Sequence, residues 1–171
     1  VLTMQRRPEI ARAFIALNRA VMANHGRLTS EQKRLVALIA SSAAGCRYCE
    51  AHTIRAAQRF GAEQGADERR LAAVWQFRDS PLFNAAERAA LEFACAAASV
   101  PGAVTADIAD ALHRHWDDGE IVELTSVVAL FGFLNRWNDA MGTELEAPAA
   151  ADGRRWLAPQ GWTAGKHGAP C

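Results

Sequence analysis

The chain carries no excess charge of either sign: among 171 residues, 19 Lys and Arg balance 19 Asp and Glu. It also lacks a basic stripe and any basic patch interleaved with aromatics, so no nucleic acid is expected as a partner. No apolar run approaches the roughly 20 residues that cross a bilayer. The longest such run, Val127 to Leu134, is far shorter, and no membrane partner is expected. Val1 to Pro8 is polar and holds none of the apolar core of a secretory signal. Because the first residue is valine, an initiator or a longer N-terminus is expected ahead of it. There is no convincing strand alternation, no internal repeat, and no glycine-rich phosphate loop following a strand. Cysteine is scarce, with four residues and no framework spacing, which suits a reducing compartment and makes the cytoplasm the expected location.

What remains is helical patterning in a chain long enough for one domain with a core. Ile10, Phe14, Leu17 and Val21 repeat at three to four residues, which predicts a first helix from Arg12 to Ala23 ended by Asn24-His25-Gly26. Thr29 and Gln32 make a capping box. The helix they open is apolar almost all round at Leu35, Val36, Leu38 and Ile39, so it is expected at the centre. Leu71, Val74, Trp75 and Phe77 mark a short helix, and Asn84 with Glu87 caps another that runs to Ala98. Cys95 there reads as a small core residue and not a ligand. Thr105 opens a helix to Trp116, with His113 and His115 near its cation-favouring end as surface or oligomer-contact residues. A long helix from Glu120 carries Ile121, Leu124, Val128, Phe131 and Leu134 on one stripe. It is apolar enough to pack on several neighbours or on another subunit. From Ala147 the composition turns to Ala, Pro and Gly with Trp156 and Trp162. An extended tail over residues 147–171 is expected, laid on the chain's own or a partner's surface.

The chemistry lies in Gly45-Cys46-Arg47-Tyr48-Cys49-Glu50-Ala51-His52-Thr53. Gly45 breaks the preceding helix, so Cys46 opens a new one that ends at Gly61. Residues three apart share a helical face, which brings both thiols together with the imidazole beside them. That spacing suits a reversible disulfide, whose Cβ atoms lie about 3.5–4.5 Å apart. A helix N-terminus and the bases Arg47 and His52 would favour thiolate. Tyr48, four residues before His52, could hydrogen-bond at the site or simply pack. Two other readings stand beside redox chemistry. One is half of a zinc site, which needs four ligands, yet Cys95 and Cys171 are isolated and His113 and His115 point apart on a helix. The other is a pair of inert core thiols.

At these residues the sequence resembles the AhpD-like branch of the carboxymuconolactone decarboxylase family, in a form with C-x-x-C-x-x-H-T. The resemblance extends to Leu35–Gly45, to Glu120–Leu124 with Phe133–Arg136, and to Gly161–His167. It implies an all-α bundle of about seven helices and one domain over residues 1–171. It further implies a homo-oligomer, trimer or hexamer, acting on a hydroperoxide with an external thiol reductant and no cofactor or metal. By motif, Cys49 would be the peroxidatic thiol and Cys46 the resolving one, and this is the assignment expected, although the helix dipole alone favours Cys46 as the more acidic. His52 would activate a thiol or protonate the leaving oxygen. The family's relay glutamate falls at Arg34, so Glu31, one turn earlier, is expected to substitute, while Arg34 would favour thiolate by charge. Thr53 stands where the better-studied pattern has its histidine. Asn135 and Arg136 are expected to help form the pocket or an interface. A carboxymuconolactone decarboxylase-like reaction on a small carboxylic acid, and a redox-sensing binding protein without turnover, are the alternatives.

Overall fold

The computed structural model describes residues 3–168, so Cys171 lies outside the described residues, as do the first two positions of the polar opening. These residues form eight helices and no strand: α1 Pro8–Met22, α2 Ser30–Ala43, α3 Arg47–Glu63, α4 Arg69–Ala73, α5 Ala85–Ala98, α6 Ala106–His115, α7 Asp118–Met141 and α8 Ala147–Leu157. The all-α class expected from the sequence is what the chain adopts. No helix among the described residues is long and apolar enough to cross a membrane.

Capping chemistry sets most of the boundaries. Thr29, Asn84 and Asp117 each accept a backbone N–H at the third helical position, and Gln32, Glu87 and Glu120 each reach back to the cap. α1 begins at Pro8, not Arg12, because proline's fixed φ suits the first helical turn. Its predicted stripe is only half covered. Phe14 and Val21 are buried with Ala11, while Ile10 and Leu17 are exposed, so the contact face is turned toward the small Ala11.

α2 is the centre, as its apolar circumference predicts. Every residue from Leu35 to Ser41 is buried, and the helix packs on α3, α5 and α7. Two buried cations stitch its first turns to the surroundings. Lys33, fully buried, reaches Glu123 of α7 at 2.7 Å and donates to the carbonyls of Val21 and Ala23, closing the exposed end of α1. Arg70 of α4 joins Glu31 at 2.9 Å to Glu87 at 2.6 Å, with its guanidinium over the Phe83 ring.

The segment from Ala147, which composition reads as extended, instead forms α8 on the flank of α3. Pro148 sits in the first turn, where its missing N–H costs nothing, and the alanines that follow are strong helix formers. Trp162 then folds under α8, 5% exposed, and donates Nε1–H to the Arg47 carbonyl at 3.2 Å. The tail therefore covers the start of α3, which is where the two thiols lie.

Candidate functional site

The dithiol is positioned by a reversal between α2 and α3. Gly45 takes φ +75°, the left-handed region that favours glycine, and turns the chain out of α2. Cys46 N–H then bonds the Ser41 carbonyl at 3.0 Å, and Cys46 becomes the N-cap of α3. Its Sγ accepts the Cys49 backbone N–H at 3.3 Å, the contact a serine or aspartate oxygen makes at an ordinary cap.

This geometry separates the two thiols electrostatically. Donation from the Cys49 thiol, joined by the Cys49 backbone N–H, outweighs burial and draws the Cys46 thiol below its ordinary value. Cys49 is pushed up, because its proton is held by Cys46 and because it is buried. A weak donation from the Asn138 amide, at 3.5 Å, works the other way. These directions favour Cys46 as the more acidic of the two thiols, as does its place at the start of α3. Cys46 and Cys49 are 1% and 3% exposed, so a substrate must enter through the surrounding side chains.

Three residues that patterning did not single out shape the site. Asn138 of α7 touches Cys49, and its Oδ1 accepts from the Thr143 hydroxyl at 3.0 Å. Glu50 is buried directly after Cys49, paired with Arg47 at 3.2 Å. Burial lifts its carboxyl above the usual range against the pull of Arg47 and Ser42, and its charge opposes ionisation of both thiols. Glu146, just before α8, accepts from the Tyr48 hydroxyl at 3.3 Å and meets His52 Nε2 at 2.8 Å. The only sequence signal for Asn138 was a polar side chain one turn beyond Asn135 on an apolar helix. Glu146, more than ninety residues away from His52, left no local signal at all.

The predicted residues divide. Tyr48 and His52 come together on the thiol helix with ring centroids 4.4 Å apart, but the imidazole is turned to Glu146. Among the described residues no hydrogen bond joins it to either sulfur. The Thr53 hydroxyl bonds back to the carbonyls of Cys49 and Glu50 inside the helix. Glu31 is not brought to the thiols. It is held by Arg70 and its side chain lies against Gly61, at the opposite end of α3 from Cys46, because α2 and α3 run in opposite directions. Arg34 stacks on Phe60, likewise toward the far end. Asn135 and Arg136 line a groove of about 610 Å³ between the end of α5 and α7, which reaches Ala44 and Asp139 beside the thiol turn. Among the described residues no three His, Cys, Asp or Glu side chains gather in a way that could hold a metal ion.

Comparison with known proteins places this arrangement. The apo structure of the debrominase Bmp8 superposes with a TM-score of 0.82 at 36% identity, over 88% of this chain and 78% of that one. A variant of the same debrominase in complex with 2,3,4-tribromopyrrole gives 0.83 at 35% identity, over 90% and 80%. A peroxidase-related protein with an alkylhydroperoxidase AhpD core, from Ralstonia eutropha JMP134, gives 0.72 at 24% identity over 86% and 76%, a likeness of fold. YnjA of Escherichia coli K12, itself uncharacterized, is 35% identical over 97 residues. These are 56% of this chain, which spans about half the length of that relative. The family model of the carboxymuconolactone decarboxylases matches residues 8–96, just over half of the sequence and the whole of the thiol helix. With its AhpD-like fold, the chain therefore belongs to the carboxymuconolactone decarboxylase family.

Proposed function

We propose that the chain is a dithiol oxidoreductase that reduces hydroperoxides. The observation that carries this reading is the thiol pair itself: Cys46 caps α3 and accepts the Cys49 backbone N–H, one helical turn on. The cap favours Cys46 as the attacking sulfur. Its thiolate takes the outer oxygen of the peroxide, the O–O bond breaks, and the alkoxide leaves with a proton; His52 is its donor, which requires the imidazole to turn from Glu146 toward the thiols. The resulting sulfenic acid condenses with the Cys49 thiol, giving a disulfide and water. An external thiol returns both sulfurs to the reduced state, and the cycle needs no metal or organic cofactor. The groove past Asn135 and Arg136 offers the route in. Assembly as a trimer or hexamer belongs to the same reading, supported by the exposure of the large apolar side chains Ile10, Leu17 and Phe133. So does a reducing, cytoplasmic setting.

The test is consumption of an organic hydroperoxide with a dithiol reductant. Cys46→Ser should abolish turnover. Without the reductant, Cys49→Ser should consume one equivalent and stop, with a sulfenic acid detectable by mass. Unchanged turnover in Cys46→Ser would remove the assignment.

A second reading is favoured by the comparisons. The structures at 35–36% identity are of a debrominase, whereas the peroxidase-related one is more distant. The same pair of thiols could deliver two electrons to a brominated heteroaromatic ring, replacing bromine by hydrogen and releasing bromide as the disulfide forms. Bromide release from a brominated pyrrole, measured beside peroxide consumption, separates the two.

A further inference from the structure

A second pocket, of about 600 Å³, lies between α2, α3 and α8, beginning at His52 and running away from the thiols toward Phe60. Its character is cationic. Arg34, Arg55 and Arg59 line it, against the single carboxylate of Asp152. Asp152 is already taken by Arg55. Arg59 makes only a long contact of 3.6 Å with Glu63, between two exposed side chains. Arg34 has no carboxylate partner among the described residues, and its buried Nη1 bonds to nothing there. Arg34 and Arg59 both lie over the Phe60 ring, with guanidinium carbons 4.6 and 4.3 Å from its centroid.

Two like charges crowded on one aromatic ring, one of them half-buried, repel each other and lose solvation with only the face of the ring in return. Burial, and then Arg59, hold the Arg34 guanidinium below its ordinary value. Of the other shielded cations, Lys33 is answered by Glu123 and Arg70 by Glu31 and Glu87, while Arg88 donates to the Ser80 carbonyl. The Arg34 site keeps the cations and omits the anion.

We propose that this pocket is a recognition site for the carboxylate of a small organic acid, held between the guanidinium groups of Arg34 and Arg59. A planar guanidinium fork matches a carboxylate edge-on, and Phe60 fixes both forks in place. The site opens on the thiol helix one turn past Cys49, so a molecule anchored there lies along α3 with its other end toward His52. The proposal stands apart from the peroxide reading, because binding can be measured without turnover.

Isothermal titration of the reduced chain with benzoate, benzyl alcohol and inorganic phosphate tests it. Benzoate should bind and benzyl alcohol should not. Arg34→Gln should weaken benzoate at least tenfold, and Arg34→Lys, which keeps the charge but loses the fork, should fall between it and the wild type. Circular dichroism checks that each variant folds. Benzoate binding that Arg34→Gln and Arg59→Gln leave unchanged would overturn the proposal, and so would phosphate binding more tightly than benzoate. A carboxylate from a second copy filling the pocket would show as no benzoate binding together with a changed oligomeric state in Arg34→Gln, and that result also overturns it.

Discussion

Substituting Gly153→Ala sets two local preferences against each other, and the structure says which prevails. Gly153 is an interior residue of α8, where alanine is better than glycine by about 1 kcal/mol on helix propensity alone. A Cβ built there would lie 2.6 Å from Cη2 and 2.9 Å from Cζ3 of Trp162. Real side chains do not approach so closely, so the ring must move. The indole is rigid, buried and tied to the Arg47 carbonyl, so it has little room to yield. Overpacking of this kind costs about 1–3 kcal/mol, and loss of the indole hydrogen bond adds about 1 kcal/mol. Set against the propensity gain, the net is a destabilisation of about 2 kcal/mol, which for a chain of this size lowers Tm by roughly 4–8 °C. Thermal unfolding followed by circular dichroism measures it, and Trp fluorescence reports the displaced ring. Because Trp162 anchors the tail over the start of α3, the variant should also alkylate faster at its buried thiols. An unchanged or raised Tm would refute the packing argument and leave propensity as the controlling factor.

Removing the cation of the α2–α4–α5 network, as in Arg70→Met, leaves Glu31 and Glu87 buried without a counter-charge. It should cost about 3–5 kcal/mol in urea unfolding at neutral pH. Burial tends to raise the Glu87 carboxyl, but Arg70 and the Asn84 backbone N–H outweigh it and hold the group below the usual carboxylate range. A depressed carboxylate stabilises the fold above its unfolded value, and that stability is lost as pH falls through the folded one. The wild type should therefore weaken in acid more steeply than Arg70→Met, and parallel acid limbs would count against the pairing. At the thiols, Glu50→Gln removes a buried negative charge that opposes ionisation of both sulfurs. The pH dependence of alkylation, resolved by mass for Cys46 and Cys49, should move to lower pH. Movement to higher pH would show that Glu50 assists the thiolate.

How much was legible beforehand depended on how local each signal was. The capping boxes at Thr29 and Asn84 use residues three apart, and both formed as read. The central place of α2 followed from its apolar circumference, and the start of α3 from Gly45 and the motif after it. Misreadings came where sequence spacing stood in for position in space. Glu31 lies one turn from Arg34 on paper, yet the antiparallel course of α2 and α3 carries it to the far end from Cys46, where Arg70 claims it. His52 stands near Cys49 along the helix, yet Glu146 draws its ring aside. The buried stripe of the Ala- and Pro-rich tail is made of the small Ala149 and Gly153 with Leu157, too weak a pattern to read from composition, and it became helical with α3 to pack against.

By itself the sequence determined the helical class, the caps, and a pair of sulfurs one turn apart, because each depends on backbone geometry over a few residues. Which amide and carboxylates surround the pair, and what covers it, were decided only by tertiary structure. Those properties come from Asn138, Glu146 and Trp162, which reach the thiol helix across some ninety or more positions of chain. Electrostatics and burial depend on distance in space, and no spacing along the chain encodes that distance.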